Sequence, residues 1–255
     1  MSRVLLIGHN PPPFQSGSKV EAALYRTWQF LEPLLSSGLP VCLCAGRSDR
    51  RPILADLPKN LSWHSVPFDR VGWMRHLQKI HDSFQPDCVL AIDFYPSLYG
   101  SRLRTSRPVW MDLYGDPLTI SQVARYRAGS DQGIGTTIAL MRQVLKRGDI
   151  FSVCGVPQKH ALVGELAMCG RLNSRTFGYD FVRVVYPGAP PGPRWVEQPD
   201  REEIRQTHSI DPDAFVVLWC GGFNTWTDVS TLFRALESAM AQEPRIHFVS
   251  AGAST

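Results

Sequence analysis

The residues best equipped for chemistry stand at the ends of short apolar runs. Arg107–Asp112 reads as a strand that empties into Asp112-Leu-Tyr-Gly-Asp-Pro117, which puts two carboxylates and the Tyr114 phenol in one short loop. A carboxylate at such a place can orient an acceptor hydroxyl or take its proton. Asp116 has a plainer use too, as the N-cap of a helix with Pro117 at its first position. Capping accounts for Asp116 and leaves Asp112 unexplained, which makes Asp112 the candidate catalytic group. His9 follows the apolar run Arg3–Gly8, and Asp93 follows Asp87–Ile92. With Tyr114 and Asp116 they are candidate contacts to an acceptor, although a lone histidine at a strand end also serves structure. His76 and His81 are five residues apart and share a helix face poorly. The six cysteines include one close pair, Cys42 and Cys44, with no second pair, so no metal site is expected.

Two glycine turns could bind an anion. The loop His9-Asn-Pro-Pro-Pro-Phe-Gln-Ser-Gly17 leads to Ser18-Lys-Val-Glu21, a capping-box pattern. Gly17 and the N–H groups of Ser18 and Lys19 could take a phosphate oxygen. The dinucleotide pattern G-x-G-x-x-G is absent, and a proline-stiffened surface loop is the competing reading. Further on, Phe215–Trp219 is five apolar residues long, which suits a strand buried on both faces. Gly221 and Gly222 then allow a sharp turn, Thr225 with Asp228 can cap a helix, and Val229, Leu232, Phe233, Leu236 and Met240 recur at helical spacing. The turn is an anion-binding device or an ordinary strand-to-helix connection.

The elements that must position these residues alternate. Strands are expected at Arg3–Gly8, Pro40–Ala45, Leu61–Val66, Asp87–Ile92, Arg107–Asp112, Ile150–Cys154 and Phe181–Tyr186. Helices are expected between them, including residues 117–147 with a break at Gly129–Gly135. Such alternation predicts an α/β fold, a Rossmann-like, mostly parallel sheet with helices on both faces. In these sheets ligands gather at the carboxyl ends of the strands. Tyr186-Pro-Gly-Ala-Pro-Pro-Gly-Pro193 has linker composition. The expected organisation is therefore a first domain over 1–188, a linker over 189–199, and the start of a second Rossmann-like domain over 200–255.

The 255 residues are 44% hydrophobic and 20% charged, a globular composition. Nothing at the N-terminus reads as a secretory signal, so a cytoplasmic location is expected, with peripheral contact at the inner face of a membrane. Residues 1–194 hold 23 Lys or Arg against 14 Asp or Glu, whereas residues 195–255 hold 4 against 9. The basic clusters Arg47/Arg50/Arg51, Arg70/Arg75/His76 and Arg102/Arg104/Arg107 are solvated faces, or they attract an anionic substrate or membrane. No aromatic-interleaved basic motif points to nucleic acid.

Taken together, the strand running into a proline-rich, glycine-ended loop, Asp112-Leu-Tyr-Gly-Asp-Pro117, Val184-Val-Tyr-Pro-Gly188 and Gly221-Gly-Phe-Asn-Thr-Trp-Thr-Asp228 carry a resemblance. The chain resembles the front part of a GT-B glycosyltransferase of the retaining, family-4-like group. That resemblance implies two Rossmann-like domains facing each other across a cleft, the first for the acceptor and the second for a nucleotide-sugar. It implies hexosyl transfer, with retention, to a hydroxyl of a glycan or lipid-linked acceptor in polysaccharide biosynthesis. It also implies metal-independent chemistry without a cofactor, because backbone N–H groups and basic side chains neutralise the donor diphosphate. Donor contacts are then implied at Gly17 and Ser18 from one side and at Gly221, Gly222, Asn224 and Trp226 from the other. Asp112 is implied beside the transferred sugar.

Two departures accompany the resemblance. The family's Arg and Lys at the second glycine turn are missing, since no basic residue occurs from Gly221 to Leu232. The residues from 200 to 255 are also too few for a closed α/β domain, so the second domain is expected to be a truncated part of a longer protein. The alternatives are a nucleotide-sugar epimerase of the same architecture, and a non-catalytic acceptor-binding module or pseudoenzyme.

Overall fold

A computed structural model describes residues 2–9, 22–46, 57–66, 71–188, 201–224 and 227–252. Its elements alternate along the chain. They begin with β1 (Val4–Gly8), α1 (Ala22–Ser36), β2 (Val41–Gly46), β3 (Leu61–Val66), α2 (Trp73–Phe84), β4 (Cys88–Ile92), α3 (Phe94–Ser101) and β5 (Val109–Asp112). They continue with α4 (Pro117–Ala128), α5 (Ile134–Arg147), β6 (Ile150–Val153), α6 (Val156–Met168) and β7 (Val182–Val184), then α7 (Arg201–Thr207), β8 (Phe215–Cys220), α8 (Val229–Gln242) and β9 (Ile246–Ala251). Two compact units result. The first is built from Met1–Arg125 and Gly129–Pro190, and the second from Tyr126–Ala128 and Pro191–Thr255.

In the first unit the strands form one seven-stranded sheet in the order β3-β2-β1-β4-β5-β6-β7, every neighbouring pair parallel. Parallel strands need crossovers, and the helices that supply them bury both sheet faces. Alternation along each strand then divides the core. Leu5, Ile7, Val89, Ala91, Val109 and Met111 face α2, α3, α5 and α6, with Leu77, Leu98, Val144, Leu145 and Leu166 packed there. Val4, Leu6, Val41, Leu43, Leu90 and Ile92 face α1 through Phe30 and Leu31.

The strand order reverses direction between β1 and β4. A sheet of this kind has a crevice at such a switch point, because the crossovers on its two sides leave in opposite directions. His9 follows β1 directly and Asp93 follows β4 directly, so both stand at its rim.

The second unit pairs β8 with β9, in parallel, and α8 connects them. The expectation of a strand buried on both faces fails here. Phe215 is 67% and Leu218 60% exposed, because among the described residues β8 pairs only with β9. The cap also differs from the expected Thr225–Asp228 pair. Asp228 is itself the N-cap of α8, its carboxylate accepting from the Thr231 N–H at 3.0 Å. An Asp one residue before the first helical position is a better cap than a residue of the first turn, since its side chain reaches the N2 and N3 donors. The expected Ser18–Glu21 capping box and Thr225 lie outside the described residues. Among the described residues no helix is long and apolar enough to cross a membrane.

Candidate active site at the carboxyl edge of the sheet

The site is built from the ends of β1, β4 and β5. Gly8 closes β1 where α1 passes closely, for a Cβ at this position would meet the Thr27 side chain at 2.9 Å. Thr27 Oγ1 accepts from the His9 N–H at 3.0 Å and donates to the Ala23 carbonyl at 3.0 Å. The first residue after β1 is thereby fixed to α1. His9 Nε2 lies 3.1 Å from Asp93 Oδ2, with His9 33% and Asp93 26% exposed, so the pair is held yet open to solvent. With Nε2–H donating to the carboxylate, Nδ1 keeps its lone pair and can accept a proton.

Asp93 has an unusual backbone, φ 85° and ψ 165°, a region that glycine alone visits readily. Three hydrogen bonds hold it there. Its N–H donates to the Asp112 carbonyl at 2.9 Å, its carbonyl accepts from the Ser97 N–H at 2.9 Å, and its Oδ1 accepts from the Phe94 N–H at 2.7 Å. A strained residue kept in place by its surroundings is common where a side chain must be aimed.

Asp112 does not stand open as the sequence reading expected. Its side chain is fully buried, and Arg26 of α1 grips both oxygens, Nε to Oδ2 at 2.8 Å and Nη2 to Oδ1 at 2.7 Å. Ser152 Oγ donates to Oδ1 at 2.5 Å and accepts in turn from Trp110 Nε1 at 2.9 Å. Trp110 meets Phe30 edge to face at 5.6 Å, and the Arg26 guanidinium lies 4.9 Å over the Phe30 ring, which closes a ring of five side chains. The physical reason is parity. Trp110 and Asp112 point to the α1 side of β5, a face that must be filled, and a charge placed there has to be paired. Burial pushes the Asp112 carboxyl up, against the opposing pull of Arg26 and Ser152. Asp112 is therefore tied to α1 through Arg26. Arg26 extends the anchor, since Nη1 donates to Gln29 Oε1 at 2.8 Å and Gln29 Nε2 donates to the Tyr186 carbonyl at 2.5 Å.

Tyr114 is close enough to Arg26 to act on its charge. Asp116 caps α4, its Oδ1 accepting from the N–H groups of Leu118 at 2.8 Å and Thr119 at 3.2 Å. It also lines a small cavity with Leu113, Met141, Gln158, Leu162 and Glu165. Glu165 Oε2 is buried with no hydrogen-bond partner among the described residues, and burial, reinforced by Asp116, pushes this carboxyl up to about 7.

In the second unit Gly221 has φ 131°, which suits glycine alone, and its N–H continues the ladder to the Ala251 carbonyl at 2.8 Å. Gly222 and Asn224 follow on the same turn, where the Asn224 carbonyl accepts from the Thr227 N–H and hydroxyl. Gly17, Ser18 and Trp226 lie outside the described residues. The structure thus brings His9, Asp93 and Asp112 to one edge, gives Asp116 to the Glu165 cavity, and holds Gly221, Gly222 and Asn224 in a separate unit.

The sheet order, the switch point and this edge can be compared with solved structures. Starch synthase IV of Arabidopsis thaliana, bound to ADP and acarbose, matches with a TM-score of 0.65 at 11% identity, over 100% of this chain and 69% of that one. Sucrose-phosphate synthase of Thermosynechococcus elongatus matches with 0.62 at 14%, over 98% and 71%. Anabaena HepE, in complex with UDP and glucose, matches with 0.62 at 13%, over 100% and 62%. The fold is the GT-B glycosyltransferase fold. No protein-family model and no curated protein sequence matches the chain. At 11–14% identity the likeness fixes the backbone, and the chemistry of this GT-B chain has to be argued from its own residues.

Arg26 and Ser152 are what the sequence reading missed. The signal for Arg26 was present, because Ala23, Arg26, Thr27 and Phe30 fall on one helical face, and all are buried. A cation on the buried stripe of a helix calls for a carboxylate at a strand end. Ser152 carried no comparable signal, and only its register opposite Asp112 reveals it.

Proposed function

We propose that the chain is the acceptor-binding unit (1–188) and the beginning of the nucleotide-sugar-binding unit (200–255) of a glycosyltransferase. The reaction moves a hexosyl group from a nucleotide-sugar to a hydroxyl of a glycan or lipid-linked acceptor. The observation that carries the reading is the His9–Asp93 pair at the switch point of a GT-B fold. A hydroxyl attacks an anomeric carbon once its proton has somewhere to go, and His9 Nδ1 can take it while Asp93 stabilises the resulting imidazolium. The bond from the anomeric carbon to the diphosphate breaks, and the nucleoside diphosphate leaves with the electron pair. HepE with UDP and starch synthase IV with ADP support a nucleotide leaving group. Gly17, Ser18, Gly221, Gly222, Asn224 and Trp226 are proposed to meet it, largely through N–H groups. Tyr114 and Asp116 are proposed on the acceptor side, and Asp112 as the positioning residue that sets α1.

The resemblance to the family-4 group favours retention at the anomeric carbon. The His9–Asp93 pair favours a second outcome, inversion, because a base-assisted hydroxyl attacks the face opposite the leaving group. The test is to incubate the 255-residue chain with UDP-, ADP-, GDP- and TDP-sugars, with and without hydroxyl acceptors, and to follow nucleotide release. Acceptor-dependent release that vanishes in His9→Ala supports the reading, and the anomeric coupling constant of the product separates the two outcomes. An isomerised sugar without acceptor points to an epimerase, and absence of both release and nucleotide binding leaves a binding module.

A further inference from the structure

The carboxyl edge of the first unit holds more than the His9–Asp93 pair. Register levels the ends of β4, β5, β6 and β7, because Ile92 pairs with Asp112, Asp112 with Ser152 and Val153 with Val184. The segments that follow these ends, residues 93–96, 113–116, 154–157 and 185–188, therefore stand side by side. At the usual strand spacing they extend about 14 Å from β4 to β7. Tyr95, Tyr114 and Tyr186 fall on them. Tyr95 is 58% and Tyr186 64% exposed, and Tyr114 is half-buried.

The exposed rings are set on fixed backbone. Helical side chains lean toward the N-terminus of their helix, so Tyr95, in the first turn of α3, leans to this edge. The Phe94 ring, packed on the core, lies 5.4 Å from the Tyr95 ring, and the bonds that hold Asp93 fix where α3 starts. The Tyr186 carbonyl is held by Gln29 of α1. A phenol offers a broad apolar face and a polar tip, and little side-chain entropy is lost when it is covered.

Charge narrows what covers them. The charged groups on these four segments are Asp93 and Asp116, with no Lys or Arg. Arg26 beneath them is 3% exposed and given to Asp112. A phosphate or a uronate laid along these segments would meet carboxylates and no counter-ion, which works against an anionic ligand. A sugar ring fits both features, since the C–H groups of one face stack on a phenol while its hydroxyls donate to a carboxylate. A hydroxyl brought to His9 Nδ1 carries the rest of its molecule along this same edge.

We infer that the acceptor is an uncharged oligosaccharide whose rings lie on Tyr95 and Tyr186. The inference rests on the transferase reading and narrows its glycan or lipid-linked acceptor to a neutral glycan. The test applies the 255-residue chain, without nucleotide-sugar, to an array of neutral and anionic oligosaccharides, and titrates the best binder by calorimetry at low and high salt. Binding to neutral oligosaccharides, unchanged by salt, is expected. Tyr95→Ala and Tyr186→Ala should each weaken it about 3–10-fold, the worth of one aromatic stacking contact, and Tyr95→Phe should keep most of the affinity. Phe177→Ala removes a ring that is 95% exposed on the segment entering β7, at the opposite edge, and should leave binding unchanged. Circular dichroism checks that each variant is folded. No oligosaccharide binding, a preference for anionic ones, weakening by salt, an equal loss in Phe177→Ala, or no loss in Tyr95→Ala and Tyr186→Ala overturns the inference. Binding without nucleotide release from any donor overturns the transferase reading alone. Acceptor-dependent release that Tyr95→Ala and Tyr186→Ala leave intact overturns the tyrosine row alone.

Discussion

Replacing Arg26 by Met is expected to be among the most damaging changes that leave the open residues of the site untouched. The substitution removes both guanidinium bonds, at 2.7 and 2.8 Å, from a carboxylate that has no exposure and leaves Ser152 as its remaining donor. Breaking a buried pair from one side costs about 3–5 kcal/mol, because the surviving charge stays out of water. At about 2–4 °C per kcal/mol for a unit of this size, the melting temperature should fall by about 6–20 °C. Asp112→Asn should cost a similar amount, since it strands Arg26, which is 3% exposed. The double variant should cost far less than the two added together, because no uncompensated charge remains, and a coupling of at least about 3 kcal/mol is expected. Urea denaturation of the four proteins, followed by circular dichroism, measures the cycle. Additivity within about 0.5 kcal/mol, or a loss below about 1 kcal/mol in Arg26→Met, would refute the claim that this pair anchors α1.

Three further outcomes follow from the same edge and the cavity beside it. His9→Ala should lower turnover about 10²–10⁴-fold with little change in donor KM, measured by nucleotide release, and a change in KM alone would remove His9 from the proton path. Asp93→Gly should lower turnover as far while keeping a higher urea midpoint than Asp93→Ala, because both lose the same side-chain bonds and only glycine relieves the backbone at φ 85°; a midpoint no higher than that of Asp93→Ala would mean that the conformation is not strained. Glu165 binds its proton more tightly in the folded chain, about 7 against an ordinary 4.5, so the folded state holds the extra proton between those values. Stability should therefore fall as pH rises through that window, and Glu165→Gln should flatten the slope; an unchanged slope of unfolding free energy against pH would show that another group carries it.

The boundaries of most elements could be read from sequence, because their signals are local. Leu61–Val66 has the same limits in the structure, and Asp116 with Pro117 marked the start of α4 as the dihedral preferences of those residues require. The site was legible in part. His9, Asp93 and Asp112 were picked out as strand-end residues, and each does stand at a strand end. Their division of labour was hidden, because it depends on which strands become neighbours and which face each residue takes. Phe215–Trp219 shows the opposite error. An apolar run states what a strand can bury, not what is available to cover it.

The sequence alone determined the alternation of strands and helices, hence a parallel sheet with ligands at its carboxyl edge, because periodicity and capping are properties of neighbouring residues. Only the tertiary structure decided that His9 meets Asp93 across 84 positions of chain and that Arg26 closes on Asp112 across 86. The order in which β1, β4 and β5 pair brings one carboxylate out to an open histidine. Side-chain parity on β5 turns the other inward to a buried arginine.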